Sequence, residues 1–185
     1  VEYALSTNTD IYLYDLGSGQ TKNVTAPNGG YDTHPRFSPD GKSLSWISME
    51  RDGYEADLKR LFVLDLKTGK KTYLTDGFEY DVDETVWSPD SKSIYFLCTK
   101  EAETHLWELG LKKRSIRQIT SGQYDYTSVS LRAGKLLAGR QSYNDPKDLY
   151  LVDPHSGKAQ QVTAENKSIL GDMPNITVEK RWIKT

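Results

Sequence analysis

Ile11-Tyr12-Leu13-Tyr14-Asp15-Leu16 returns three times along the chain, as Leu61-Phe62-Val63-Leu64-Asp65-Leu66, Leu106-Trp107-Glu108-Leu109-Gly110-Leu111 and Leu149-Tyr150-Leu151-Val152-Asp153-Pro154. Each copy is an apolar, aromatic-rich run of the kind that fits a pleated sheet. Each is followed by a turn and a polar-apolar alternation ending in Val24-Thr25, Leu74-Thr75, Ile119-Thr120 or Val162-Thr163. Those threonines stand 50, 45 and 43 residues apart. Between them lies a second signal, Phe37-Ser38-Pro39-Asp40-Gly41-Lys42, repeated as Trp87-Ser88-Pro89-Asp90-Ser91-Lys92 and fading to Leu131-Arg132-Ala133-Gly134-Lys135.

Pro-Asp-Gly makes a tight turn, because proline fixes φ, aspartate caps its own backbone and glycine accepts positive φ. Leu16-Gly17-Ser18-Gly19, Lys67-Thr68-Gly69-Lys70 and His155-Ser156-Gly157-Lys158 are hairpin turns of the same character. Short strands, closely spaced turns and no helix-period segment predict an all-β protein. A repeat of this length holding four strands, a to d, is a propeller blade. The expected architecture is a β-propeller fragment with about three complete four-stranded blades plus a partial first blade. Residues 1–25 supply strands b to d of the partial blade, 26–75, 76–120 and 121–163 are blades, and 164–185 form a tail. The opening Val1-Glu2-Tyr3-Ala4-Leu5 alternates like the middle of a strand, so the chain is expected to be part of a longer polypeptide.

An arc of blades leaves flat apolar faces at its ends. If an end bares roughly 400 Å² of apolar surface, about 10 kcal/mol of burial is forfeited. Either the tail Ile176–Ile183 supplies a missing inner strand and closes a four-bladed ring, or further chain lies upstream; the second is expected. Self-association through the open blade edges is the corresponding expectation for the isolated arc.

Composition narrows the function. A net charge of −2 over 185 residues, with no basic cluster beyond Lys112-Lys113-Arg114, argues against nucleic-acid binding. No apolar run approaches the roughly 20 residues that span a bilayer, and no secretory signal pattern opens the sequence. The single cysteine, Cys98, sits in Ile94-Tyr95-Phe96-Leu97-Cys98 and reads as a buried small hydrophobe. Trp46, Trp87 and Trp107 fall on strand positions and read as packing residues, while Trp182 lies in the tail. Asp81, Asp83 and Glu84 fit no calcium-loop spacing, and no metal or cofactor is expected.

The run apolar-Ser-Pro-Asp-Gly-Lys, then apolar-Tyr-apolar-x-Asp-Leu, then Leu-Thr resembles the TolB-type propeller repeat over residues 11–163. A narrower resemblance lies in Met49-Glu50-Arg51-Asp52-Gly53-Tyr54-Glu55-Ala56-Asp57-Leu58-Lys59-Arg60-Leu61-Phe62 and in the tail Met173-Pro174 to Val178-Glu179-Lys180-Arg181-Trp182-Ile183. Both are similar to segments of bacterial dipeptidyl and acylaminoacyl peptidases of the prolyl oligopeptidase family. The resemblance implies a Ser-Asp-His catalytic domain following the propeller, with the propeller restricting access to peptide-sized substrates. This chain carries no Gly-x-Ser-x-Gly nucleophile elbow, and His34, His105 and His155 have no serine and aspartate arranged beside them in sequence. No catalytic residue is assigned to it. The partner expected is a peptide, met through that further domain. The expected compartment is the periplasm, with the cytoplasm as the alternative.

In a four-stranded meander the b–c loops and the d-to-a connections share one rim. On it recur Tyr31-Asp32, Tyr80-Asp81 and Tyr124-Asp125, together with the loops Met49–Arg60, Lys100–Thr104 and Gln141–Lys147. A dipeptidyl peptidase must hold a protonated α-amine at a fixed distance from the scissile bond, which one or two carboxylates achieve through charge-assisted hydrogen bonds. Glu55 is the candidate, with Glu50 and Asp57 behind it and Tyr54 as a contact residue. The competing reading is that the charges of this loop merely pair with one another in solvent, and that the Tyr-Asp repeats are turn caps. Two other classes compete: a TolB-like protein-interaction propeller with no attached hydrolase, and a metal-dependent propeller enzyme, for which the inner strands offer only His34 and Glu84.

Overall fold

The computed structural model describes residues 6–171 and 174–184. Strands β1 (Tyr12–Tyr14) and β2 (Thr21–Asn23) form an antiparallel pair. Strands β3 (Asp32–Phe37), β4 (Ser43–Ser48), β5 (Arg60–Asp65) and β6 (Lys71–Tyr73) then form a meander in chain order. Two further meanders follow: β7 (Asp83–Trp87), β8 (Ser93–Lys100), β9 (Glu103–Gly110) and β10 (Ser115–Gln118); then β11 (Asp125–Arg132), β12 (Lys135–Gln141), β13 (Asp148–Val152) and β14 (Ala159–Gln161). One short helix, α1 (Lys167–Leu170), lies in the tail, where no helix was expected. The protein is all-β, built of propeller-like blades, and the described residues do not close a ring.

The core lies between sheets rather than within one. Successive side chains of a strand point to opposite faces, so a central strand serves two neighbours. Along β8, Ile94, Phe96 and Cys98 pack toward Ile47 and Leu61 of the preceding sheet. The alternate residues Tyr95 and Leu97 pack toward Leu136 and Tyr150 of the next. Leu44 and Trp46 of β4 face Ile11 and Val24 in the same manner. At the two ends of the arc the alternation continues with no described strand packed over it, leaving Tyr12 and Tyr14 at one end and Leu149 and Val162 at the other exposed.

The threonine signature has a single cause in all four sheets. The hydroxyls of Thr25, Thr75, Thr120 and Thr163 accept the backbone N–H of Ile11, Leu61, Leu106 and Leu149, at 2.9, 3.0, 3.0 and 2.9 Å. Each extends the c–d pairing beyond the last ladder bond. In Ser-Pro-Asp, the hydroxyls of Ser38 and Ser88 donate to Asp40 and Asp90 and accept the N–H of Ser43 and Ser93. Gly41, and Ser91 in its place, take the left-handed conformation at φ 69° and 59° that the turn requires.

The strand b expected for the partial blade would fall on residues 1–5, which lie outside the described residues, as do Met173 and Thr185. Of the two readings of the tail, the one not expected would have made Ile176–Ile183 an inner strand; Ile176 instead exchanges two hydrogen bonds with the Asn144 side chain, at 2.8 and 3.0 Å. One expectation changes. The Lys100–Thr104 loop is only a two-residue turn, because β8 and β9 extend to Lys100 and Glu103 and leave Glu101 and Ala102, both at positive φ, to reverse the chain.

Candidate functional site

The longest b–c connection among the described residues runs from Met49 to Lys59, Arg60 being the first residue of β5, and its charges pair selectively. The Arg51 guanidinium Nε and backbone N–H donate to Asp57 at 2.9 and 2.7 Å, and the same guanidinium lies 3.8 Å from the centroid of the Tyr54 ring. Arg60 holds Glu50 at 3.0 Å. Asp52 accepts the Thr7 N–H at 2.8 Å and the hydroxyls of Ser6 and Thr7. These bonds hold the Asp57 and Asp52 carboxyls below the usual range, Asp57 chiefly through Arg51 and Asp52 chiefly through the Thr7 N–H. Glu55 is exposed and, among the described residues, has neither a hydrogen bond nor an ion pair. The loop thus pins three of its carboxylates and presents a fourth. Gly30 seats the neighbouring linker against the base of this loop: a Cβ there would stand 2.5 Å from the Met49 carbonyl oxygen.

The Tyr-Asp pairs share the rim without sharing a structural position. Asp81 and Asp125 each accept the N–H that opens strand c of the preceding sheet, from Lys59 at 2.8 Å and Thr104 at 2.9 Å. Asp32 instead turns inward and is buried, accepting the indole N–H of Trp46 and the Asn28 amide, both at 3.0 Å. Counted back from Phe37, Trp87 and Leu131 of strand a, Asp32 stands five residues away and Asp81 and Asp125 six, so Asp32 takes the buried position of Val82 rather than that of Asp81. Tyr80 packs edge-on against Phe78, and the Lys100 ammonium lies 5.4 Å from its ring. Tyr31 offers its backbone carbonyl to the Met49 N–H at 2.7 Å.

A second polar group on this rim was not legible in the sequence. His105 is buried, with Nδ1 3.3 Å from the Thr120 hydroxyl and Nε2 3.5 Å from Glu103. Lys180 of the tail reaches Glu101 at 3.3 Å and Glu103 at 3.9 Å, drawing the tail across the rim. Arg140 lies between the rings of Tyr150 and Tyr124, 3.6 and 4.0 Å from their centroids. An internal comparison of the repeats would have flagged Arg140, since the matching β4 and β8 positions are Ser48 and Cys98.

The histidines outside this rim group and the cysteine stand apart from one another. His34 is exposed and contacts Thr33, and His155 is exposed in a turn. Cys98 is fully buried, and burial, reinforced by Asp81 and Asp83, pushes its thiol up to about 12. Asp83 is held by Lys59 at 2.7 Å, and no grouping of three potential metal ligands occurs among the described residues. No described helix is long and apolar enough to cross a membrane.

The family model for the TolB beta propeller domain matches residues 1–183. The chain is 61% identical over 183 residues to dipeptidyl-peptidase 5 of Porphyromonas gingivalis, covering 99% of this chain and 27% of that protein. It is 56% identical over 185 residues to dipeptidyl-peptidase 5 of Porphyromonas endodontalis, again with 27% of the relative covered. The chain therefore spans about a quarter of the length of these relatives. Among solved structures, the acylaminoacyl peptidase of Pyrococcus horikoshii superposes with a TM-score of 0.69 at 19% identity, over 89% of this chain and 24% of that one, which is a likeness of fold.

Proposed function

This chain belongs to the TolB β-propeller domain family, and from that premise we propose that it is the non-catalytic propeller part of a dipeptidyl peptidase of the prolyl oligopeptidase type. The observation that carries the reading is the 61% identity to dipeptidyl-peptidase 5 across 99% of the chain. In this reading the b–c rim faces a hydrolase domain elsewhere in the polypeptide, limits entry to peptides, and holds their N-terminus. The interaction-module alternative rests on the same family model and on TolB structures at 18% and 22% identity, which speak to fold alone. The compartment proposed is the periplasm, with the cytoplasm as the alternative, and cell fractionation distinguishes them.

Glu55 is the residue proposed to hold the substrate ammonium. Glu50 and Asp57 are already neutralised by arginines, so adding a cation to them would compete with an existing pair. Glu55 has no such partner, and Tyr54, its ring braced by Arg51, stands beside it. A carboxylate-to-ammonium hydrogen bond is worth about 1.5–3 kcal/mol, roughly tenfold to hundredfold in affinity.

The test uses the full-length polypeptide and chromogenic dipeptide substrates. E55Q is expected to lower kcat/KM by about tenfold or more for substrates with a free N-terminus, and to leave N-acetylated substrates unaffected. An unchanged kcat/KM would remove Glu55 from the role while leaving the peptidase reading intact. Failure of the full-length protein to release dipeptides would overturn the reading itself.

A further inference from the structure

Three seams separate the four sheets, and two of them are plugged at the same place. In the seam between the second and third sheets, Phe96 and Trp107 are cross-strand partners on the face that looks into it. Phe78, three residues beyond Thr75, sets its ring edge-on against both, 6.0 Å and 85° from Phe96 and 5.6 Å and 64° from Trp107. In the next seam the matching pair is Ala138 and Tyr150. There the Arg140 guanidinium and the Tyr124 ring fill the space.

In the first seam the pair is Trp46 and Phe62, stacked at 5.5 Å and 20°, with Tyr73 continuing the stack at 5.0 Å and 14°. The residue three beyond Thr25 is Asn28, and it sits in the same turn as Phe78. Its N–H bonds to the Thr25 carbonyl at 3.1 Å, as that of Phe78 bonds to Thr75 at 3.0 Å. Asparagine cannot serve as the plug. Its amide points away, donating to Asp32 at 3.0 Å and to the Met49 carbonyl at 2.9 Å. Against Trp46 and Phe62 there remains an open cavity of about 300 Å³, lined also by Asn28, Arg60 and Lys71.

We propose that this cavity is a binding site for the aromatic side chain of a peptide, whose ring enters edge-on against Trp46 and Phe62 where Phe78 sits one seam further on. Edge-to-face contacts favour an aromatic ring over an aliphatic group of similar bulk. The Arg60 guanidinium, held by Glu50, lies 5.5 Å from the Phe62 ring and 5.7 Å from that of Tyr73 and forms part of the cavity wall. Asp32 fixes both the Trp46 indole and the Asn28 amide, so the slot exists before the ligand arrives and little ordering entropy is lost on binding. Ser48 and Arg60, which flank the b–c loop, line the cavity, so a peptide whose ring enters it would run beside that loop. The inference concerns this chain alone and stands whether or not the attached domain is a peptidase.

The test titrates the protein with N-acetyl-phenylalaninamide, N-acetyl-leucinamide and N-acetyl-Ala-Phe-Ala-amide while following indole and amide NMR signals. Saturable shifts are expected at the Trp46 indole and around Asn28 but not at the Trp107 indole. The phenylalanine ligand should bind about fivefold more tightly than the leucine ligand, and the tripeptide at least as tightly as the single residue. N28F, which supplies the missing plug, should abolish binding. If N28F does not fold, F62L, which keeps apolar volume but removes one ring, should weaken binding about fivefold or more. No saturable shift at Trp46, equal affinity for leucine, or unaltered binding in the folded variants would overturn the proposal. Binding of the single residue without the tripeptide would contradict a peptide as its source.

Discussion

The indole N–H of Trp87 crosses from the third sheet to the second and donates to the hydroxyl of Ser45 at 2.9 Å, with the Arg36 carbonyl 3.2 Å away as a second acceptor. Trp87 and Ser45 are both buried, so this bond joins two blades in the absence of water. S45A should cost about 1 kcal/mol, because the indole keeps Arg36 and is not orphaned. The midpoint of urea unfolding, at unchanged slope, measures it.

The four equivalent threonines differ in burial, which ranks their mutants. Thr75 is 1% exposed, so T75V strands the Leu61 N–H and should cost about 1–3 kcal/mol. Thr163 is only half-buried, so water replaces the lost acceptor and T163V should cost under about 1 kcal/mol. Denaturation of the two variants side by side checks the order; equal losses would show that the bond itself contributes little.

Cys98 offers a probe of blade opening. With the thiol buried and pushed up to about 12, alkylation at pH 8 should be slower than that of a free thiol by orders of magnitude. Its rate should also rise with urea in step with global unfolding. Fast modification of the folded protein would mean that the seam between the second and third sheets opens locally.

The turn aspartates set the acid limit. Asp40 and Asp90 are held below the ordinary range chiefly by Ser38 and Ser88, Asp15 and Asp65 by Ser18 and Thr68, and Asp153 chiefly by Lys135. Their folded values lie below the unfolded value of about 3.9, so their contribution is present above it and is lost as pH falls through the folded values. Stability should be level from about pH 7 to about 5 and decline below about 4. S38A should raise the Asp40 titration seen in carboxyl NMR; an Asp40 midpoint already equal to that of an unfolded peptide would contradict the account.

The two end faces predict association of the isolated chain. Tyr12 and Tyr14 are 58% and 61% exposed at one end of the arc. Sedimentation velocity should show concentration-dependent dimers or larger species, which Y12S/Y14S reduces. A strict monomer across the accessible range would contradict self-association through the ends.

What the sequence disclosed was whatever the fold repeats through short-range bonds. Ser38 bonds Asp40 two residues away, and Thr75 bonds Leu61 fourteen residues away; neither depends on the rest of the molecule, so both leave a spacing that can be read. The pairing inside Met49–Arg60 left no such trace. Arg51 chooses Asp57 and Arg60 chooses Glu50 because of the loop's path, and that path has no periodicity. The non-equivalence of Asp32 and Asp81 comes from one residue fewer between the pair and Phe37 than between Tyr80-Asp81 and Trp87, which moves Asp32 to the opposite face without altering the Tyr-Asp pattern. The Asn28 cavity was hidden because a missing plug has no motif; it emerges only when Phe78 is seen filling the same turn elsewhere.

The account rests on sheets packed face to face around an arc, each seam supplied by both neighbours. Nuclear Overhauser contacts between the Trp87 indole proton and the Ser45 β-protons test this most directly, since these residues are far apart in sequence and lie on different sheets. A strong cross-peak is predicted, accompanied by contacts from Phe78 to Phe96 and Trp107. Its absence, in a spectrum that still shows the β4–β5 and β8–β9 cross-strand contacts, would mean that the blades form but do not stack this way.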